Sequence, residues 1–132
     1  MRGFFNSNIE SATRDNRNFR QVLYTGKHSQ LVLMSLETGE EIGEEVHDKI
    51  DQFFRFEEGR GKVIIDSREY DVRDGSAVIV PAGAKHNVIN TGSGDLKLYT
   101  IYSPAEHRDG VTKRTKEEAM EKEEHFDGRT TE

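Results

Sequence analysis

From Asn18 to Ser103 the chain is a succession of short β-prone runs, each closed by residues that favour tight turns. The runs, roughly eight in number, are Phe19 to Tyr24, Gln30 to Leu36, Glu44 to His47, Gln52 to Phe56, Lys62 to Ile65, Ala77 to Val80, His86 to Asn90 and Lys97 to Tyr102, with a weaker one at Tyr70 to Val72. Between them stand Thr38-Gly39, Glu58-Gly59-Arg60-Gly61, Asp66-Ser67, Asp74-Gly75 and Thr91-Gly92-Ser93-Gly94-Asp95, where Gly and Asp supply the backbone freedom that turns require. This is the pattern of an all-β sandwich or barrel of antiparallel hairpins, not of βαβ units. In the run from Gln30 to Leu36, Leu31, Leu33 and Ser35 alternate with Val32, Met34 and Leu36, so one face is core and the other is partly apolar.

The two ends differ in kind from this middle. Residues 1–17 read as an N-terminal arm in which 7–15 can form a short capped helix, residues 18–105 as the barrel, and residues 106–132 as a C-terminal arm. Lys113 to His125 is rich in Lys and Glu three or four apart, with Ala119 and Met120 as its apolar residues, which predicts a solvated helix followed by a disordered tail. A chain of 132 residues has room for one domain, with core enough to fold without metal or disulfide staples. The absence of cysteine excludes disulfides and thiolate metal sites, so any metal must sit on imidazole, carboxylate, amide or water. A net charge of −6 argues against a nucleic-acid partner. No stretch is apolar enough for a signal peptide or a membrane span, and the expected location is the cytoplasm.

Two segments carry chemistry. Glu45 and His47 are two apart, so on a strand both side chains project from one face. Gln52 is five residues further on, an odd step, but Asp48-Lys49-Ile50-Asp51 can turn the chain and bring it to the same interior from the next strand. His86 must arrive from a distant strand, where Pro81-x-Gly83 ends one strand and starts another.

The spacing from Gly75 through Pro81, Gly83 and His86 to Asn90 follows G-x5-P-x-G-x2-H-x3-N at every defined position. The spacing from Gly39 through His47 to Gly59 follows G-x5-H-x-H-x4-E-x6-G, with Glu45 and Gln52 where that pattern has His and Glu. In these segments the chain resembles the cupins. The resemblance implies an antiparallel double-stranded β-helix, a jelly-roll barrel, with one divalent metal ion per chain held by Glu45, His47, Gln52 and His86. Two imidazoles and one carboxylate suit Fe, Zn, Ni, Mn or Co, and the amide of Gln52 is the weakest donor. It further implies a small oxygen-bearing ligand or substrate in the barrel mouth, with isomerisation or dioxygenation as the natural chemistries and a non-catalytic binding or sensor domain as the alternative. Single-barrel members commonly pair, so a homodimer is expected. His28, His107 and His125 lie outside the motifs and read as structural or surface histidines, although the stretch from Tyr102 to Glu106 could bring His107 over the mouth, where it could act as a base.

Overall fold

The computed structural model describes residues 2–132, and Met1, the first residue of the expected N-terminal arm, lies outside them. The elements run α1 (Ile9–Asp15), β1 (Arg20–Thr25), β2 (Gln30–Leu36), β3 (Glu45–Val46), β4 (Asp51–Glu58), β5 (Arg60–Ile65), β6 (Arg68–Arg73), β7 (Ala77–Val80), β8 (Lys85–Asn90), β9 (Leu96–Ser103), β10 (Thr112–Lys113) and α2 (Lys116–Glu121). The strands form a six-stranded sheet in the order β10-β1-β2-β9-β4-β7 and a four-stranded sheet in the order β3-β8-β5-β6. Every ladder is antiparallel, and the sheets face each other as a jelly roll whose edges are not joined into a closed hydrogen-bonded barrel among the described residues. No helix among those residues is long and apolar enough to cross a membrane.

Alternation along the strands divides the interior into layers. Met34, Leu98 and Phe56 face one another across β2, β9 and β4, and Val63 and Val88 oppose them from β5 and β8, all fully buried. Each such side chain contributes about 1.5–3 kcal/mol of burial, which makes this end the stable floor of the fold. At the other end the inward positions turn polar: Gln30 opposes Tyr102, Tyr102 opposes Gln52, and His86 enters from β8, each 3% exposed or less. Buried polar groups require partners, so this layer is where a site is built.

The ends are more ordered than the sequence suggests. Asn8 caps α1 by accepting from the Ser11 amide, and Arg14 ties the helix to Glu58 and Asp74 at 3.2 and 3.5 Å. The expected helix from Lys113 to His125 contracts to the six residues of α2, capped by Thr115, because only Ala119 of its face is buried. The expected disordered tail is also corrected. The Phe126 amide donates to the Glu106 carbonyl, and Thr131 exchanges hydrogen bonds with Thr25, so backbone pairing carries the C-terminal segment back across the molecule.

On the outer face of the larger sheet, Leu31, Ile101, Phe53 and Ile79 stand opposite one another in successive ladders, and Ile79 is 66% exposed. Leu33 on that face is already buried within the chain.

Candidate metal centre

β3 and β8 pair so that Glu45 stands directly opposite His86, and His47 follows two residues after Glu45 on the same side, as the spacing predicts. The turn at Asp48 and Lys49 reverses the chain, and Gln52 enters from β4 with its side chain inward. The loop before β8 is clasped from both sides of that turn. The Gly83 amide donates to the His47 carbonyl at 2.9 Å, and the Ala82 amide donates to the Asp51 carboxylate at 2.8 Å. Gly83 holds φ +88, a left-handed conformation that a side chain would strain. Backbone geometry thereby sets the approach of His86 to His47, whose ring centroids lie 5.4 Å apart.

Ligand-capable atoms of Glu45, His47 and His86 all lie within 4.8 Å of one another. Each imidazole has one nitrogen committed to a hydrogen bond and one without, the Nε2 of His47 lying 3.7 Å from Glu45 Oε1. His86 Nδ1–H donates to the Ala84 carbonyl at 3.1 Å, and His47 Nδ1 donates to Glu106 Oε2 at 2.7 Å. The remaining Nε2 atoms of both are buried with no hydrogen-bond partner. Gln52 shows the same division: its Nε2 donates to Thr100 Oγ1, which donates to the Phe53 carbonyl, and its buried Oε1 has no partner. Phe54, two residues on along the same face, packs edge-on against His86. Two buried imidazole nitrogens without hydrogen bonds, gathered with a carboxylate, are what a divalent cation requires, and buried polar atoms, Gln52 Oε1 among them, are otherwise rarely left so. The residues present therefore fit a metal.

The electrostatics agree. The hydrogen bond to Glu106, then the Glu45 carboxylate 3.7 Å from Nε2, raises the His47 pKa to about 9, so in the absence of metal a protonated imidazole sits between two carboxylates. Burial opposes the charge on both carboxylates, yet the facing His47 holds Glu45 and Glu106 below the ordinary carboxylate range. The positive charge is the part a bound cation would replace.

Glu106 was not singled out by the sequence, which pointed instead to its neighbour. The stretch after Tyr102 does fold over the mouth, but Glu106 reaches His47 while His107 turns inward, its Nε2 accepting from the Tyr102 hydroxyl at 3.1 Å. Burial, then the charge of Arg20, lowers the His107 pKa to about 3, so it is a neutral structural group. Gln30 holds both residues: its Oε1 accepts from the amides of Glu106 and His107, and its Nε2 donates to the His107 carbonyl and to Thr25. His125 is 70% exposed at its side chain and lies 3.4 Å from Glu106. A cavity of about 540 Å³ opens over the centre, lined by Arg20, Glu45, His47, Glu106, Met120 and His125 among others.

Residues 32–102 match the family model described as "Cupin domain". The chain is 50% identical over 119 residues to the uncharacterized protein YrkC of Bacillus subtilis, covering 86% of this chain and 64% of YrkC, so it spans just under two thirds of that relative's length. It is 41% identical over 108 residues to protein L612 of Acanthamoeba polyphaga mimivirus, covering 78% of this chain and 67% of L612. The crystal structure of BH2720 from Bacillus halodurans superposes with a TM-score of 0.86 at 48% identity, covering 89% of this chain and 94% of BH2720. The layered sheets, the motif positions and these matches agree, and the chain belongs to the cupins.

Proposed function

We propose that Glu45, His47 and His86, with the amide oxygen of Gln52 as a fourth donor, hold one divalent ion of Fe, Zn, Ni, Mn or Co. On this reading the cavity above binds a small oxygen-bearing molecule. The supporting observation is the set of orphaned atoms, His47 Nε2, His86 Nε2 and Gln52 Oε1, each buried with its sister atom already committed. The ion would act as a Lewis acid toward a bound oxygen group, which suits isomerisation or dioxygenation. The chain's own part is to fix the imidazole tautomers, exclude water with Phe54 and Tyr102, and leave one face open toward the cavity. The absence of cysteine suits a reducing compartment, and the proposed place of action is the cytoplasm.

Metal titration and elemental analysis test the reading. Wild-type protein should take up about one ion per chain, and His47→Ala and His86→Ala should each abolish most of that uptake; unchanged metal content in both variants rejects the site.

One observation favours a second reading, a binding or sensor domain without turnover. Glu106 is engaged by His47, both ring nitrogens of His107 have partners, burial raises the Tyr102 hydroxyl well above its ordinary range, and the exposed His125 sits between Glu106 and Glu123, so none of these groups is poised as a base at the centre. A metal-loaded protein that consumes no dissolved oxygen and exchanges no C–H proton of a bound ligand with solvent would establish this second role.

A further inference from the structure

Arg20 is a charge without a partner. Three arginines of this chain are partly buried among the described residues: Arg14, Arg20 and Arg55. Arg14 pairs with Glu10, Glu58 and Asp74, and Arg55 pairs with Glu57. Arg20 has no carboxylate within 4.0 Å among the described residues, and its Nε is buried with no hydrogen-bond partner. In a chain with 25 acidic and 19 basic residues, a guanidinium left unpaired next to a carboxylate-rich cavity is not explained by folding.

Its position points to a use. Arg20 opens β1 on the inner face it shares with Val22, stands in register with the core residue Met34, and lines the same cavity as Glu45 and His47. Its guanidinium carbon lies 5.3 Å from the centroid of the Phe19 ring, which shelves the planar group at the cavity wall. A ligand carboxylate matches the planar guanidinium fork and would supply the hydrogen-bonding partner that the chain does not give Arg20.

Resting on the metal reading above, we propose that the ligand is a small carboxylic acid, its carboxylate held by Arg20 while a second oxygen group reaches the Glu45–His47–His86 centre. Arg20 is thus the residue that selects anionic over neutral ligands, and the metal donors alone would not make that choice.

The test uses cobalt-loaded full-length protein titrated with the monohydroxamates of malonic and succinic acid, whose hydroxamate addresses the metal, and with the methyl ester of each at its remaining carboxylate, binding being read by calorimetry and by the cobalt visible spectrum. Wild-type protein should bind at least one free acid tenfold or more tighter than its ester. Arg20→Met should lose that preference while cobalt uptake and ester affinity stay within twofold, and Arg20→Lys should keep part of it. A wild type without preference for either free acid, or an Arg20→Met protein that keeps the wild-type preference, overturns the proposal. If Arg20→Met does not fold, Arg20→Lys decides, with at least a threefold loss of preference supporting it and none overturning it. Failure of the wild type to take up cobalt would reject the metal centre and not Arg20, which is then judged on metal-free protein by the 15N shift of its Nε–H on adding succinate. Movement supports the carboxylate site, and its absence overturns it.

Discussion

Glu106 Oε2 lies 2.7 Å from Nδ1 of His47, and this contact fixes which nitrogen of the ring faces the centre. With Nδ1–H given to the carboxylate, Nε2 is directed at the position that Glu45 and His86 also address. A carboxylate behind a ligating imidazole raises its basicity and locks its tautomer.

Glu106→Gln should therefore weaken metal binding by about 10–100-fold while leaving the fold intact, since the amide oxygen can still accept from Nδ1–H. Competition with a chelator of known affinity measures this. A metal affinity equal to that of the wild type would show that Glu106 does not tune the centre.

Metal-free protein should be most stable near pH 6.5. Protonated His47 has a folded-state pKa of about 9 against an ordinary 6.5, so its contribution is complete below about 6.5 and lost as the pH rises through about 9. His107 acts in the opposite sense. The unfolded chain protonates it near 6.5 and the folded protein only near 3, so stability falls as the pH drops between those values. Each limb should approach about 1.4 kcal/mol per pH unit, read from urea unfolding. His47→Gln should flatten the alkaline limb and His107→Gln the acid one, and a level profile from pH 5 to 9 would contradict both assignments.

Much of this arrangement could be read in the chain, and the reason is local chemistry. Gly and Asp at the turns with alternation between them give β2 and β7 their observed bounds, and the two-residue step from Glu45 to His47 gives their shared face. Gln52 comes inward because the Asp48–Lys49 turn resets the strand parity. Glu106, Gln30 and Arg20 were not legible, since each acts through partners distant in sequence: Gln30 meets His107 across 77 positions, and no periodicity encodes that pairing. β10 has only two residues, too few for a pattern, and it forms because β1 offers it an edge.

Replacing Gln30 by Leu should cost about 2–4 kcal/mol in urea unfolding, because the amides of Glu106 and His107 lose their buried acceptor. The same variant should bind metal more weakly, as Glu106 is no longer held in place. Unchanged stability would mean that water replaces the amide without loss.

The expected homodimer has a natural seat on the outer stripe of Leu31, Ile101, Phe53 and Ile79. Light scattering after size-exclusion chromatography should give twice the chain mass of 15.1 kDa, and Ile79→Glu should return the protein to the monomer. A monomeric wild type at micromolar concentration would leave the stripe without this role.

Glu45 and His86 share one ladder of the smaller sheet, whereas Arg20 stands on β1 of the larger. A substitution on β1 can therefore change which molecule enters without disturbing the donors on β3 and β8. With Arg20 holding the guest as proposed, the fold has two separate dials, one for the ion and one for its guest, and an engineer could turn the second by varying position 20 alone.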